Sequence, residues 1–207
     1  MRTATVAALV LVSACGSSSS EVAPPAPAAA PAVAVDAARP SLVATEQDYD
    51  IDGSSVGALR DQISRLGPKD ESGKSRDALT VWSIEWAYTP ASRPDGCVLR
   101  DVKVTLNVAV TLPRWKPPAT VSPAVVRSWQ TYLKAVRLHE AGHRAIAERN
   151  ARDVMAALLP LRGANCDQLS DQATRTAEQI VADGRARNRA YDVDTKHGQT
   201  QGVVLQP

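Results

Sequence analysis

His139-Glu140-Ala141-Gly142-His143 is the stretch on which the reading of this chain turns. On an α-helix, residues four apart stand above one another on the same face, so His139 and His143 aim two imidazoles at one point with Glu140 beside them. This is the HExxH pattern, in which the two histidines bind Zn²⁺ and the glutamate acts as general base on the metal-bound water. The chain has only one other histidine, His197.

Outward from the motif, Val125, Trp129, Tyr132, Val136, His139, His143, Ala147, Val154 and Leu158 follow one another at helical steps, which predicts one long amphipathic helix. Arg127, Lys134, Arg137, Arg144 and Arg152 fall on its other side. Two imidazoles and a carboxylate within a buried stripe cost on the order of several kcal/mol if they lack partners, and a metal removes that cost. The alternative is a chance HExxH on a solvated helix, its histidines merely hydrogen-bonded.

The helix has defined limits. Ser122-Pro123 caps its start, and it is expected to run to Leu161, before Gly163. A loop holding Cys166 then leads into a second helix, expected from about Ser170 to Ala190, with Ala173, Ala177, Ile180, Gly184, Asn188 and Tyr191 along one side. So short a connection forces the two helices antiparallel. From His143 the first helix descends about 27 Å and the second climbs back about 30 Å, so residues 191 to 197 arrive beside the metal. On this count His197 is the expected third ligand. Asp192 and Asp194 are the alternatives, or else take the second ring nitrogen of a ligand histidine. An extended motif fails because position 149 is Arg, and Glu178 lies roughly 18 Å too low on the second helix.

Before the motif the periodicity changes to two. A first strand is expected over residues 41 to 51, then a short helix carrying Val56, Leu59 and Ile63 and stopped by Gly67-Pro68. Lys69 to Arg76 reads as a loop. Thr80, Trp82, Ile84, Trp86 and Tyr88 alternate with Val81, Ser83, Glu85 and Ala87, and Val102, Val104, Leu106, Val108, Val110 and Leu112 line one side of a longer strand over residues 98 to 112. With residues 90 to 96 as the turn, these two strands form an antiparallel hairpin, ended by Pro113.

The first fourteen residues carry Arg2, a short apolar run from Ala4 to Val12 and small residues before Cys15, the pattern of an export signal. Val12-Ser13-Ala14-Cys15 resembles the bacterial lipobox, which implies cleavage before Cys15 and lipid on its sulfur. Gly16 follows where Asp would mark inner-membrane retention, so an outer-membrane lipoprotein is expected in a Gram-negative envelope. The alternative is an ordinary signal peptide cut near the same point. Of three cysteines this leaves Cys97 and Cys166 to pair outside the cytoplasm. Residues 15–44, rich in Ala, Pro and Ser, read as an extended tether, and residues 45–207 as one domain. The net charge of +2 and the arginines interleaved with acids exclude a nucleic-acid face, and no apolar run reaches the roughly 18 residues of a membrane span. Contact with a membrane is thus expected only through the lipid on Cys15.

The part after the tether resembles a bacterial family of secreted proteins of unknown function described as predicted zinc-dependent proteases. Tyr49 to Gly53, Leu59-Arg60, Gly67-Pro68, Trp82, Trp86, Cys97, Leu112-Pro113-Arg114-Trp115 and Trp129 carry the likeness, with His139-Glu140-x-x-His143, Cys166, Asn188 and the closing Tyr191-Asp192-x-x-Thr195-x-His197-Gly198. Together with the residue pattern it implies an α+β, zincin-like domain, a small antiparallel sheet packed on two long antiparallel helices. The function expected is a zinc metallopeptidase acting on a peptide or protein substrate. One Zn²⁺ is held by His139, His143 and His197, Glu140 is the base, and Tyr191 or a nearby donor steadies the oxyanion. The hairpin is expected to pair with an extended substrate. The rival readings are an envelope lipoprotein whose zinc is structural or inactive, and a hydrolase of cell-wall amides.

Overall fold

The computed structural model describes residues 39–206, so the leader, the expected lipidation at Cys15 and nearly all of the tether lie outside the described residues. In chain order come β1 (Ser41–Ile51), α1 (Val56–Leu66), β2 (Leu79–Arg93), β3 (Gly96–Trp115), α2 (Pro123–Leu158), β4 (Arg162–Gly163), α3 (Cys166–Thr195) and a 3₁₀ turn at Gln199–Gln201. The class is α+β, a small sheet with three helices.

The sheet order is β1-β3-β2, with β4 paired to the start of β3. The expected hairpin is present, with Thr80 opposite Val110 and Trp82 opposite Val108. The expectation of a purely antiparallel sheet is corrected: β1 pairs parallel with β3, Ser41 against Thr105 through Ile51 against Trp115. Residues 52 to 95, which include α1 and β2, intervene between the two strands, and a connection of that length is what a parallel pair requires. β1 has the bounds expected of the first strand, so residues 41 to 44 belong to it and not to the tether.

Two prolines expected to end strands lie inside them. Pro90 is tolerated because β2 is an edge strand, and it pairs with Leu99 just past the bulge at Ala87/Thr89. Pro113 sits where β2 has already ended: β2 begins opposite Thr111, and beyond it β3 is bonded only to β1, so no partner on that side needs the missing N–H.

One face of the sheet is core. Val104, Leu106 and Val108 of β3 pack on Ala147, Ala151, Val154 and Leu158 of α2 and on Leu169, Ala173 and Ala177 of α3. Each larger aliphatic side chain so buried contributes about 1.5–3 kcal/mol. A second cluster joins Ile51, Leu59, Ile63 and Leu112 to Trp129, Tyr132 and Val136, and Val203 and Leu205 close it from the C-terminal end. Asn150 Nδ2 donates to the Ile180 carbonyl at 2.8 Å and His143 Nδ1 meets Asn188 Oδ1 at 2.9 Å, so contacts run in opposite order along α2 and α3. Gly184 permits this approach, since a Cβ there would overlap the Asn150 amide. The disulfide Cys97–Cys166 ties the start of β3 to the first residue of α3.

Candidate metal centre and active-site cleft

His139, Glu140 and His143 lie on the buried face of α2, each at most 6% exposed. The third element is the last turn of α3. That helix is longer at both ends than its apolar pattern indicated: Asn165 caps its start through the Gln168 N–H, and it ends at Thr195, where Lys196 turns left-handed (φ 49°). Tyr191, Asp192 and Asp194 are therefore helical, and only His197 lies beyond.

The extension carries Asp192 to the histidines. His139 Nε2 and His143 Nε2 are 3.2 Å apart, and Asp192 Oδ1 is 3.2 Å from each. His197 Nδ1 approaches the same oxygen, at 3.3 Å, from a side chain 45% exposed at the rim. The atoms of His139, His143 and Asp192 thus form a compact group of donors suited to a metal ion. Nothing places Asp194 in it.

The hydrogen bonds behind the histidines decide what these three atoms offer one another. Trp82 Nε1, which is only a donor, gives a 3.3 Å bond to Asn188 Oδ1, so the Asn188 atom 2.9 Å from His143 Nδ1 is the oxygen. His143 Nδ1 must then carry the proton. The Tyr191 hydroxyl donates to the His139 carbonyl at 3.3 Å and accepts from Gln201 Nε2 at 3.0 Å, which leaves Gln201 Oε1 facing His139 Nδ1 at 3.0 Å as its acceptor. In the neutral rings both Nε2 atoms therefore bear lone pairs aimed at each other and at a carboxylate oxygen. Such a triangle holds together only around a cation, whether a proton or a metal. A tetrahedral site with zinc–ligand bonds of about 2.0–2.1 Å has edges of roughly 3.3 Å, close to all three separations, and imidazole and carboxylate are ordinary zinc donors. The residues fit the metal.

The electrostatics follow from the same contacts. Burial works to raise the Asp192 carboxyl, yet the hydrogen bonds that His139 and His143 give it when an imidazole is charged outweigh burial and hold the group well below the usual carboxylate range. Burial lowers His143, but its hydrogen bonds with Asp192 and Asn188 leave the imidazole raised overall. Glu140 is pushed up by burial, partly countered by a 2.6 Å hydrogen bond from Thr80 Oγ1 and by the two histidines.

Tyr191 lies behind the ligands. Its ring stacks on His139 at 5.1 Å, its hydroxyl contacts the His139 carbonyl and Gln201, and Gly142 is the residue that leaves room for it. These contacts suit it to hold His139 in place. The cleft in front, about 300 Å³, is lined by Thr80, Glu140, Asp192 and His197 and continues to Arg60, Lys74 and Arg76. Thr80 and Gln201 were not singled out from sequence. The available signal for Thr80 was its place in the inward-facing row with Trp82 and Ile84; Gln201 gives none.

The sequence matches the bacterial protein family of unknown function DUF922 over residues 46–198, from β1 to the glycine that follows His197. No curated protein and no solved structure matches it.

Proposed function

The chain belongs to the DUF922 family, and we propose that its domain is a zincin-like, zinc-dependent peptidase of the cell envelope in which His139, His143 and Asp192 hold one Zn²⁺ and Glu140 is the general base. The observation that carries this is the triangle of 3.2 Å separations among three acceptor atoms whose lone pairs the surrounding hydrogen bonds fix. Asp192 thereby replaces His197 as the proposed third ligand, and His197 Nδ1 lies 3.3 Å from that carboxylate. When bound, zinc acts as a Lewis acid that acidifies water and polarises a carbonyl.

The chain's own groups supply the rest. Glu140 takes a proton from the attacking water and passes it to the leaving amine, and Thr80 holds its carboxylate in place through Oε2. Asn188 and Gln201 fix the two imidazoles through Nδ1. Over residues 105–111 β3 is bonded on both sides, so within the hairpin it is β2 that has an edge to offer an extended substrate. Ala78, Leu79 and Thr80, where β2 begins, line the cleft. The Cys97–Cys166 bridge and the export signal support a place outside the cytoplasm, with Cys15 as a lipid anchor.

One observation favours the rival of a non-catalytic zinc site: Glu140 is only 6% exposed and already hydrogen-bonded. Digestion of a diverse peptide library by the zinc-loaded full chain separates the two. Cleavage by wild type with a loss of about 10² to 10⁴ in rate for Glu140→Gln, zinc retained, supports the peptidase. Zinc binding without any cleavage supports the scaffold.

A further inference from the structure

The cleft runs from the His139–His143–Asp192 group to a second wall that the proposed hydrolysis does not use. Residues 67 to 78 form a tightly tied loop. Lys69 and Ser75 pair across it, and the Asp70 carboxylate accepts from the backbone N–H groups of Ser72 and Lys74, from the Ser72 hydroxyl and from Arg76 Nε at 2.7 Å. Its far end is tied as firmly. Asp77 accepts two 2.6 Å hydrogen bonds from Arg60 and one of 2.7 Å from the Tyr132 hydroxyl, while its carbonyl accepts from Tyr49. Arg60 and Arg76 are thereby set in advance along the cleft, and the loop that carries Lys74 is fixed through its backbone.

Their charges do not cancel. Asp77 pairs with Arg60 and Asp70 with Arg76, but Lys74 is exposed and makes no ion pair among the described residues. The other acids of the cleft, Glu140 and Asp192, belong to its chemical end. Donors also remain on the arginines: Asp77 engages one hydrogen on each Nη of Arg60, leaving Nε–H and the second hydrogen of each Nη, and Asp70 engages Nε–H and one Nη2 hydrogen of Arg76, leaving the other and both on Nη1. Two guanidinium groups held in place before binding, on a cleft wall they share with an unpaired ammonium, match a carboxylate.

We infer that Arg60, Lys74 and Arg76 form a recognition subsite for a carboxylate carried by the substrate, from an acidic side chain or a free chain end. The inference rests on the peptidase reading and narrows its substrates to peptides with a carboxylate within reach of the scissile bond.

The test uses the zinc-loaded full chain with Glu140→Gln, so that bound peptide is not turned over. Three matched pools of labelled peptides are titrated: one with an internal Glu and an amidated end, its Gln counterpart with the same end, and that counterpart with a free carboxylate. One carboxylate pool should bind about five- to tenfold more tightly than the neutral pool, and Lys74→Glu should abolish the advantage. The favoured pool identifies whether side chain or terminus is read. Equal affinities, no binding by either carboxylate pool, or an advantage that survives Lys74→Glu overturn the subsite. If the preference holds but the wild-type chain cleaves nothing, the hydrolase reading falls and the subsite stands; cleavage without preference does the reverse.

Discussion

Trp82 and Asn188 lie 106 positions apart in the chain, and a 3.3 Å hydrogen bond from the indole Nε1 to the Asn188 side-chain oxygen joins them directly behind His143. Because an indole nitrogen can only donate, this contact orients the amide, and the amide in turn places the proton of His143 on Nδ1. Asn188→Ala should weaken zinc binding about 10 to 100-fold, while Asn188→Asp, which keeps an acceptor, should stay much closer to wild type. Competition with a chromophoric chelator measures both, and circular dichroism checks that each variant is folded.

Gly142 tests the packing behind the other ligand. A Cβ at this position would overlap the Tyr191 hydroxyl and ring, which are held by stacking on His139 and by hydrogen bonds to its carbonyl and to Gln201. Gly142→Ala should cost about 1–3 kcal/mol in urea unfolding despite alanine's better helix propensity. Tyr191→Phe keeps the ring and should cost about 0.5–1.5 kcal/mol.

The strand end at Asp50 gives a pH signature. Hydrogen bonds from Arg114 and then Lys116 pull its carboxyl from 3.8 down to about 2. A carboxyl lowered by folding contributes stability that is complete above its unfolded value and is lost as pH falls through the folded one. In urea unfolding, wild type should exceed Asp50→Asn at pH 6, and the difference should shrink between about pH 4 and pH 2.

The disulfide gives a larger effect. It joins residues 69 apart, and the entropy it removes from the unfolded chain corresponds to roughly 4 kcal/mol. Peptide mapping of non-reduced protein should recover Cys97 linked to Cys166, and a double Cys→Ala variant should unfold at much lower denaturant. The same mass analysis reports whether Cys15 carries lipid.

Much of this arrangement was legible because it is periodic. The HExxH helix, its Ser122-Pro123 start, the hairpin of β2 and β3 and the cysteine pairing each follow from spacing or count. The parallel placement of β1 was not, since strand direction is set by which edge is free once the hairpin forms, and no local pattern records that. The last turn of α3 was missed for another reason: after Tyr191 the apolar stripe is interrupted by Asp192, Val193 and Asp194, and Val193 is 74% exposed. What keeps that turn helical is tertiary, the contact of Asp192 with two histidines on α2 and of Tyr191 with the ring and carbonyl of His139. Ending the helix near Ala190 favours His197 as third ligand, and continuing it to Thr195 brings Asp192 to the histidines.

The account therefore rests on that third donor, and zinc content after dialysis against a buffered low-micromolar zinc pool tests it most directly. Wild type should hold one zinc per chain, Asp192→Ala and His143→Ala should lose it, and His197→Ala should retain most of it. Full zinc in Asp192→Ala together with loss in His197→Ala would contradict the assignment, and a wild-type chain with no zinc would contradict the metal centre itself.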